Sequence, residues 1–138
     1  MTIQLATRLR HLRLSGMVDA LPGRVAQAEA APLAHLDFLE LLVEDEFVRR
    51  ADRLFARRLK QAGITTPKHL SDFDWTYNPK LPKATLATLA SGRFVQTHGG
   101  VLLIGPPGVG KSHCAVALAV GAIRAGHRAL VRSTFDLV

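Results

Sequence analysis

The sequence is short of the residues that staple, anchor or clasp. One cysteine, Cys114, in 138 residues excludes a disulfide framework and a cysteine-rich metal site, and suits a reducing cytoplasm. The six histidines are scattered without ligand spacing, so no metal other than Mg2+ is expected. No apolar run approaches the roughly eighteen residues of a membrane span. The longest, Cys114 to Ile123, has the length of a short helix, and no membrane partner is expected. Acids are scarce too: eleven Asp and Glu stand against eighteen Lys and Arg, a net charge of +7 that favours an anionic partner such as nucleic acid. The shortage is steepest late in the chain. Residues 1–60 carry ten basic and eight acidic residues, residues 61–138 carry eight and three, and beyond Ser112 the only acid is Asp136.

Glycine and proline, in contrast, are concentrated in one place. Gly105-Pro106-Pro107-Gly108-Val109-Gly110-Lys111-Ser112 is a complete G-x-x-x-x-G-K-[ST] phosphate-binding loop. Val101 to Ile104 lead into it as a buried strand and His113 to Ala125 follow as a helix, the context the motif requires. The residue types follow from the ligand. A triphosphate wrapped at close range by backbone N–H groups asks for Cβ-free positions at Gly105, Gly108 and Gly110, with a free helix N-terminus behind them. Lys111 supplies a point charge for the β- and γ-phosphates, Ser112 a small hard oxygen for Mg2+, and Pro106 and Pro107 stiffen the loop. A glycine-rich turn without a ligand leaves Lys111 and Ser112 unexplained. ATP and Mg2+ are the expected cofactors.

Three regions follow from the patterning. Residues 1–63 read as a helical DNA-binding or interaction domain. It begins with a helix to about Leu14, breaks at Ser15-Gly16, continues through about Ala30, and ends in a long helix from Pro32 to Ala62 stopped by Gly63. The Arg-rich start also fits an organellar targeting segment, but Leu5, Leu9 and Leu12 at helical spacing favour a packed helix. In the long helix Leu36, Leu39, Val43, Phe47, Ala51 and Leu54 form a stripe, widened by Leu42, Phe55 and Leu59, expected to pack on the first two helices. Its second half carries Arg49, Arg50, Arg53, Arg57, Arg58 and Lys60. Macrodipole matching and i,i+4 pairs such as Glu46 with Arg50 account for some of these cations; a face for DNA phosphates accounts for all six.

Residues 64–100 read as a connector, with turn signals at Thr66-Pro67 and Asn78-Pro79 and a short helix from Pro82 to Ser91. Its aromatic cluster, Phe73, Trp75 and Tyr77, reads either as a hydrophobic plug beneath the sheet or as a wall for an adenine base. Residues 101–138 read as the start of an α/β P-loop domain with a parallel sheet. A first strand, its helix and a second strand at Ala129 to Val131 are expected, and Thr134 reads as the N-cap of a further helix. Such a sheet needs several crossover units, so the fold expected is a helical region followed by a P-loop domain cut short after its second strand.

The combination resembles the IstB-like family of transposition helper ATPases, AAA+ proteins related to DnaC-type helicase loaders. The resemblance rests on Leu12-Arg13-Leu14-Ser15-Gly16-Met17, Asp37-Phe38-Leu39-Glu40, Asp45-Glu46 with the basic run, Phe73-Asp74-Trp75, Ala90-Ser91-Gly92-Arg93-Phe94 and the loop through His113. It implies an ATP-dependent protein that binds double-stranded DNA, assembles into homo-oligomers on it and directs a transposase to its target. It also implies that the helical region contacts DNA and that Phe73 to Asn78 lie near the adenine. The chain ends before the Walker B acids and the arginine finger of that family, so this chain is expected to bind ATP without turning it over. Two other functions share these features: a helicase loader, and a DNA-binding module indifferent to nucleotide.

Overall fold

A computed structural model of the chain describes residues 3–132. All regular elements among them are helical: α1 (Ile3–His11), α2 (Ser15–Ala30), α3 (His35–Ala62), a 3-10 turn at Leu70–Asp72, α4 (Lys83–Ala90), α5 (Arg93–Gln96) and α6 (Lys111–Arg124). No helix among the described residues is long and apolar enough to cross a membrane. The chain divides into two compact units, 1–54 and 55–138, with the boundary inside α3.

In the first unit the chain turns at Leu12 to Leu14, not at Ser15-Gly16. Arg13 takes a left-handed backbone, φ 60°, and Leu14 N–H returns to the Leu9 carbonyl at 2.9 Å. Gly16 serves another purpose. It is the second residue of α2, buried against α3, where a Cβ would come within 2.8 Å of both Glu46 Cα and Glu46 Oε2. The first N–H groups of a helix have no acceptor within it, and no side chain of its own caps α2. Glu46 supplies the acceptor: Oε2 takes Gly16 N–H at 2.6 Å and Met17 N–H at 3.2 Å, while Oε1 takes Arg50 Nε at 2.7 Å. Arg24 grips Asp45 through two bonds of 2.8 and 2.9 Å, and Arg49 pairs with Asp19.

These bonds fix which face of α3 looks at α2, and it is not the expected stripe. Asp45, Glu46 and Arg49 reach α2, and Leu42, one turn earlier, is buried. At about 100° per residue that rotation turns the stripe to solvent, leaving Leu36 78 % and Phe47 67 % exposed, with Leu39 and Val43 exposed as well. The helix also starts later than Pro32, at His35, its first bond running from Phe38 N–H to the Ala34 carbonyl.

In the second unit α3 ends as Gly63 dictates. Gly63 has φ 78°, its N–H bonds the Lys60 carbonyl at 3.1 Å, and Ile64 N–H reaches back to Leu59 at 3.0 Å. This pair of bonds is a Schellman ending, and Ile64 then packs with Ala62, Val120 and Ile123. A second cluster holds Phe73, Leu86, Cys114 and Leu118. Helix α6 contributes to both, and Gly121 on it lies against the Ala90 carbonyl of α4 so closely that no Cβ would fit.

The expected parallel sheet is absent among the described residues, where no strand forms. Val101–Ile104 and Ala129–Val131 belong to no regular element. The alternation of a strand survives, for Val101 and Leu103 pack on the second cluster while Leu102 and Ile104 are 82 % and 84 % exposed. What is missing is the ladder. A cleft of about 320 Å3, lined by Val101, Leu103, Leu118, Ala122, Ala129 and Leu130, involves both segments, and Val131 N–H bonds the Ala62 carbonyl at the end of α3 instead of a strand. A strand exists by the hydrogen bonds of its neighbours, and neither segment has one. The helix start expected at Thr134, with Asp136, lies outside the described residues.

Candidate functional site

The loop from Gly105 to Gly110 hands the chain to α6, which opens at Lys111, two residues earlier than the sequence suggests. The first bond of the helix runs from Cys114 N–H to the Gly110 carbonyl at 3.0 Å, so the N–H groups of Lys111, Ser112 and His113 have no acceptor in a preceding turn. They lie at the positive end of a 14-residue helix. Two glycines make the turn possible. Gly108 at φ 78° and Gly110 at φ 92° occupy the left-handed region that a side chain disfavours. Gly105 does not, and a Cβ there would meet Val109 only at ordinary contact distance.

Lys111 folds back over the loop. Its Nζ donates to the Gly105 carbonyl at 2.6 Å and to that of Pro106. Ser112, in the first turn of α6, is exposed. Together these residues fit a magnesium nucleotide: open helix amides and a cation for the phosphates, and an exposed hydroxyl for an ion that keeps most of its waters. A cavity of about 310 Å3 opens beside the loop, with Asn78, Leu81, Leu102, Ile104, Pro106 and Lys111 among its walls.

The connector backs the loop at three points. The Phe73 ring lies under Gly110, where a Cβ would approach its Cε2 to 2.7 Å, and it meets Trp75 and His113 edge-on at 4.9 and 5.1 Å between centroids. His113 Nε2 lies 3.1 Å from the His69 carbonyl oxygen. Tyr77 donates its hydroxyl to the Gly108 carbonyl at 2.8 Å. Between them, Asp74 Oδ1 accepts from Thr76 N–H at 2.9 Å and from the Thr76 hydroxyl, and these bonds hold its carboxyl below the usual carboxylate range. Of the two readings of the aromatic cluster, a plug describes Phe73 and Trp75, which pack under the loop and α6. Tyr77 stays 67 % exposed beside the glycines. Cys114 is buried in the same cluster and burial raises its thiol pKa, which keeps it protonated and unreactive.

The basic run divides by partner. Arg49 and Arg50 are held by Asp19 and Glu46. Among the described residues no carboxylate pairs with Arg53, Arg57, Arg58 or Lys60. All but the half-buried Arg58 are exposed. Sequence reasoning found the Glu46–Arg50 pair, and it missed the grip of Glu46 on α2 and the contact of Tyr77 with the loop.

Helix amides, left-handed glycines and a fixed cation converge on one exposed spot, and the anion that suits such a spot is a chain of phosphates. This geometry suits a phosphate-loop nucleotide-binding protein. Comparison with known families narrows this, since the IstB-like ATP-binding protein family matches residues 7–138. The chain belongs to that family. An insertion-sequence ATP-binding protein of Mycobacterium tuberculosis is 46 % identical over 122 residues, covering 88 % of this chain and 49 % of the relative. The ATP-binding protein of insertion sequence IS21 from Pseudomonas aeruginosa is 40 % identical over 126 residues, 91 % of this chain and 46 % of its own length. A Sinorhizobium fredii insertion-sequence ATP-binding protein is 34 % identical over 136 residues, covering 98 % and 46 %. The chain spans about half the length of the curated relatives it matches.

Proposed function

We propose that the chain binds ATP and Mg2+ through Gly105 to Ser112 and serves DNA transposition as an AAA+ helper, binding double-stranded DNA as a homo-oligomer and delivering it to a transposase. The observation that carries the reading is the loop: Lys111 already places its ammonium over the Gly105 and Pro106 carbonyls at the opening of α6. When nucleotide binds, that ammonium exchanges two neutral carbonyls for phosphate oxygens, a stronger charge-assisted contact. The N–H groups at the helix opening take the remaining oxygens, and the Ser112 hydroxyl takes a place on Mg2+. Bound ATP supplies a phosphoanhydride whose charge the loop neutralises. In this reading the residues of the loop hold the nucleotide. The relatives named above are insertion-sequence proteins, which favours transposition over helicase loading.

For DNA, the cations of the α3 run without a carboxylate partner among the described residues are Arg53, Arg57, Arg58 and Lys60. Each phosphate contact contributes about −0.9 to the slope of log affinity against log salt. Replacing Arg53, Arg57 and Arg58 by Gln is expected to weaken binding to unrelated duplexes equally and to flatten that slope by about two or three. An unchanged slope in a salt titration returns the run to being a solvated helix face.

A further inference from the structure

Tyr77 makes a contact that nucleotide binding by the loop does not itself require. It projects from the connector, 31 residues before Gly108, and its hydroxyl bonds the Gly108 carbonyl. Gly108 is also uncrowded: φ is 78°, and the site where its Cβ would sit meets nothing within 4 Å. No neighbour crowds that side of the glycine, and the phenol gives its carbonyl a fixed partner. The peptide unit between Gly108 and Val109 is planar and trans, and its C=O and N–H point in opposite directions. Fixing the carbonyl on Tyr77 therefore fixes the Val109 N–H on the side away from the connector. The tyrosine is itself held, for the Asp74–Thr76 turn precedes it and Tyr77 N–H bonds the Asp74 carbonyl at 3.2 Å.

We propose that Tyr77 is a positioning residue of the phosphate loop: its hydroxyl orders the Gly108–Val109 peptide so that the loop meets polyphosphate already in its binding shape. The role rests on the ATP-binding reading above and goes beyond it, because it assigns the tyrosine to the phosphates and not to the base. A flexible glycine peptide must otherwise be ordered by the ligand, at the ligand's expense in affinity. The phenol removes that cost beforehand. Phe73 under Gly110 restrains the next glycine by shape, so the connector holds the loop at two successive points.

The test compares the parent chain with Tyr77→Phe, which keeps the ring and removes the hydroxyl, using Mg2+ with ATP, inorganic tripolyphosphate and adenosine as separate probes. A surface hydrogen bond predicts a loss of about threefold to tenfold, equal for ATP and tripolyphosphate and absent for adenosine, with the thermal midpoint unchanged. Amide exchange at Gly108 to Ser112 should also quicken in the ligand-free variant. Parental affinity for tripolyphosphate together with parental exchange overturns the proposal. So does a loss seen for ATP and adenosine only, which makes the ring a wall for the base. The exchange arm needs no ligand, so a parent chain that binds neither ATP nor tripolyphosphate overturns the ATP reading, and exchange alone then decides the role of Tyr77.

Discussion

Lys111→Ala should lower ATP affinity by about tenfold to a hundredfold while leaving the circular dichroism of the helices unchanged. The size follows from the loss of a hydrogen bond between charged partners, about 1.5–3 kcal/mol, at a site where the ammonium is fixed before the ligand arrives. Helix α6 has no need of the lysine. Its side chain bonds only the Gly105 and Pro106 carbonyls of the loop, and alanine is the better helix former at a first position. Removing it also leaves no buried group unpaired, since both carbonyls lie in exposed residues. Titration with ATP checks this, and an affinity within about twofold of the parent removes Lys111 from the site.

Glu46→Ala should destabilise the first unit by about 2–4 kcal/mol, because two buried or half-buried N–H groups and one guanidinium lose their acceptor together. Thermal unfolding followed at a helical wavelength checks it, and an unchanged midpoint contradicts the role given to Glu46. The same carboxylate predicts a pH dependence. Burial pushes its pKa up, but the bonds from Arg50, Met17 and Gly16 outweigh burial and hold it below its ordinary value. A depressed pKa means that its contribution is complete above the ordinary carboxylate range and is lost as pH falls through the folded-state value. Asp45 behaves alike, held down first by its bond from Arg24. Glu46→Gln should therefore flatten the acid limb of stability against pH only in part, leaving the shares due to Asp45 and Asp74.

The features legible in the sequence are those decided within a few residues. Gly63 had to end α3 because only glycine accepts the left-handed position there, and the loop had to precede a helix because its glycines, lysine and serine follow one local geometry. The end of α2 near Ala30 and the short helix α4 are of the same kind. The rotation of α3 is different. It depends on Gly16 and Glu46, 30 residues apart, and the hydrophobic stripe alone points the wrong way because the contact with α2 is polar. The sheet misled for a related reason. Val101 to Ile104 have a strand's composition and a strand's alternation, but a ladder belongs to pairs of segments, and the described residues provide no partner for either. Tyr77 could be read as aromatic from its letter, while its hydroxyl bond to Gly108 exists only once the connector has folded back.

Leu102, Ile104 and Leu130 are exposed on segments that pair with no strand among the described residues, in a chain of net charge +7. Those two properties oppose each other in solution. Mutual repulsion keeps molecules apart at low ionic strength, while the adhesive segments act once they touch. At about 0.1 M salt the repulsion reaches only some 10 Å, and at 1 M about 3 Å. Colloidal stability therefore rests on like-charge repulsion, and added salt is expected to remove this molecule's defence against its own kind.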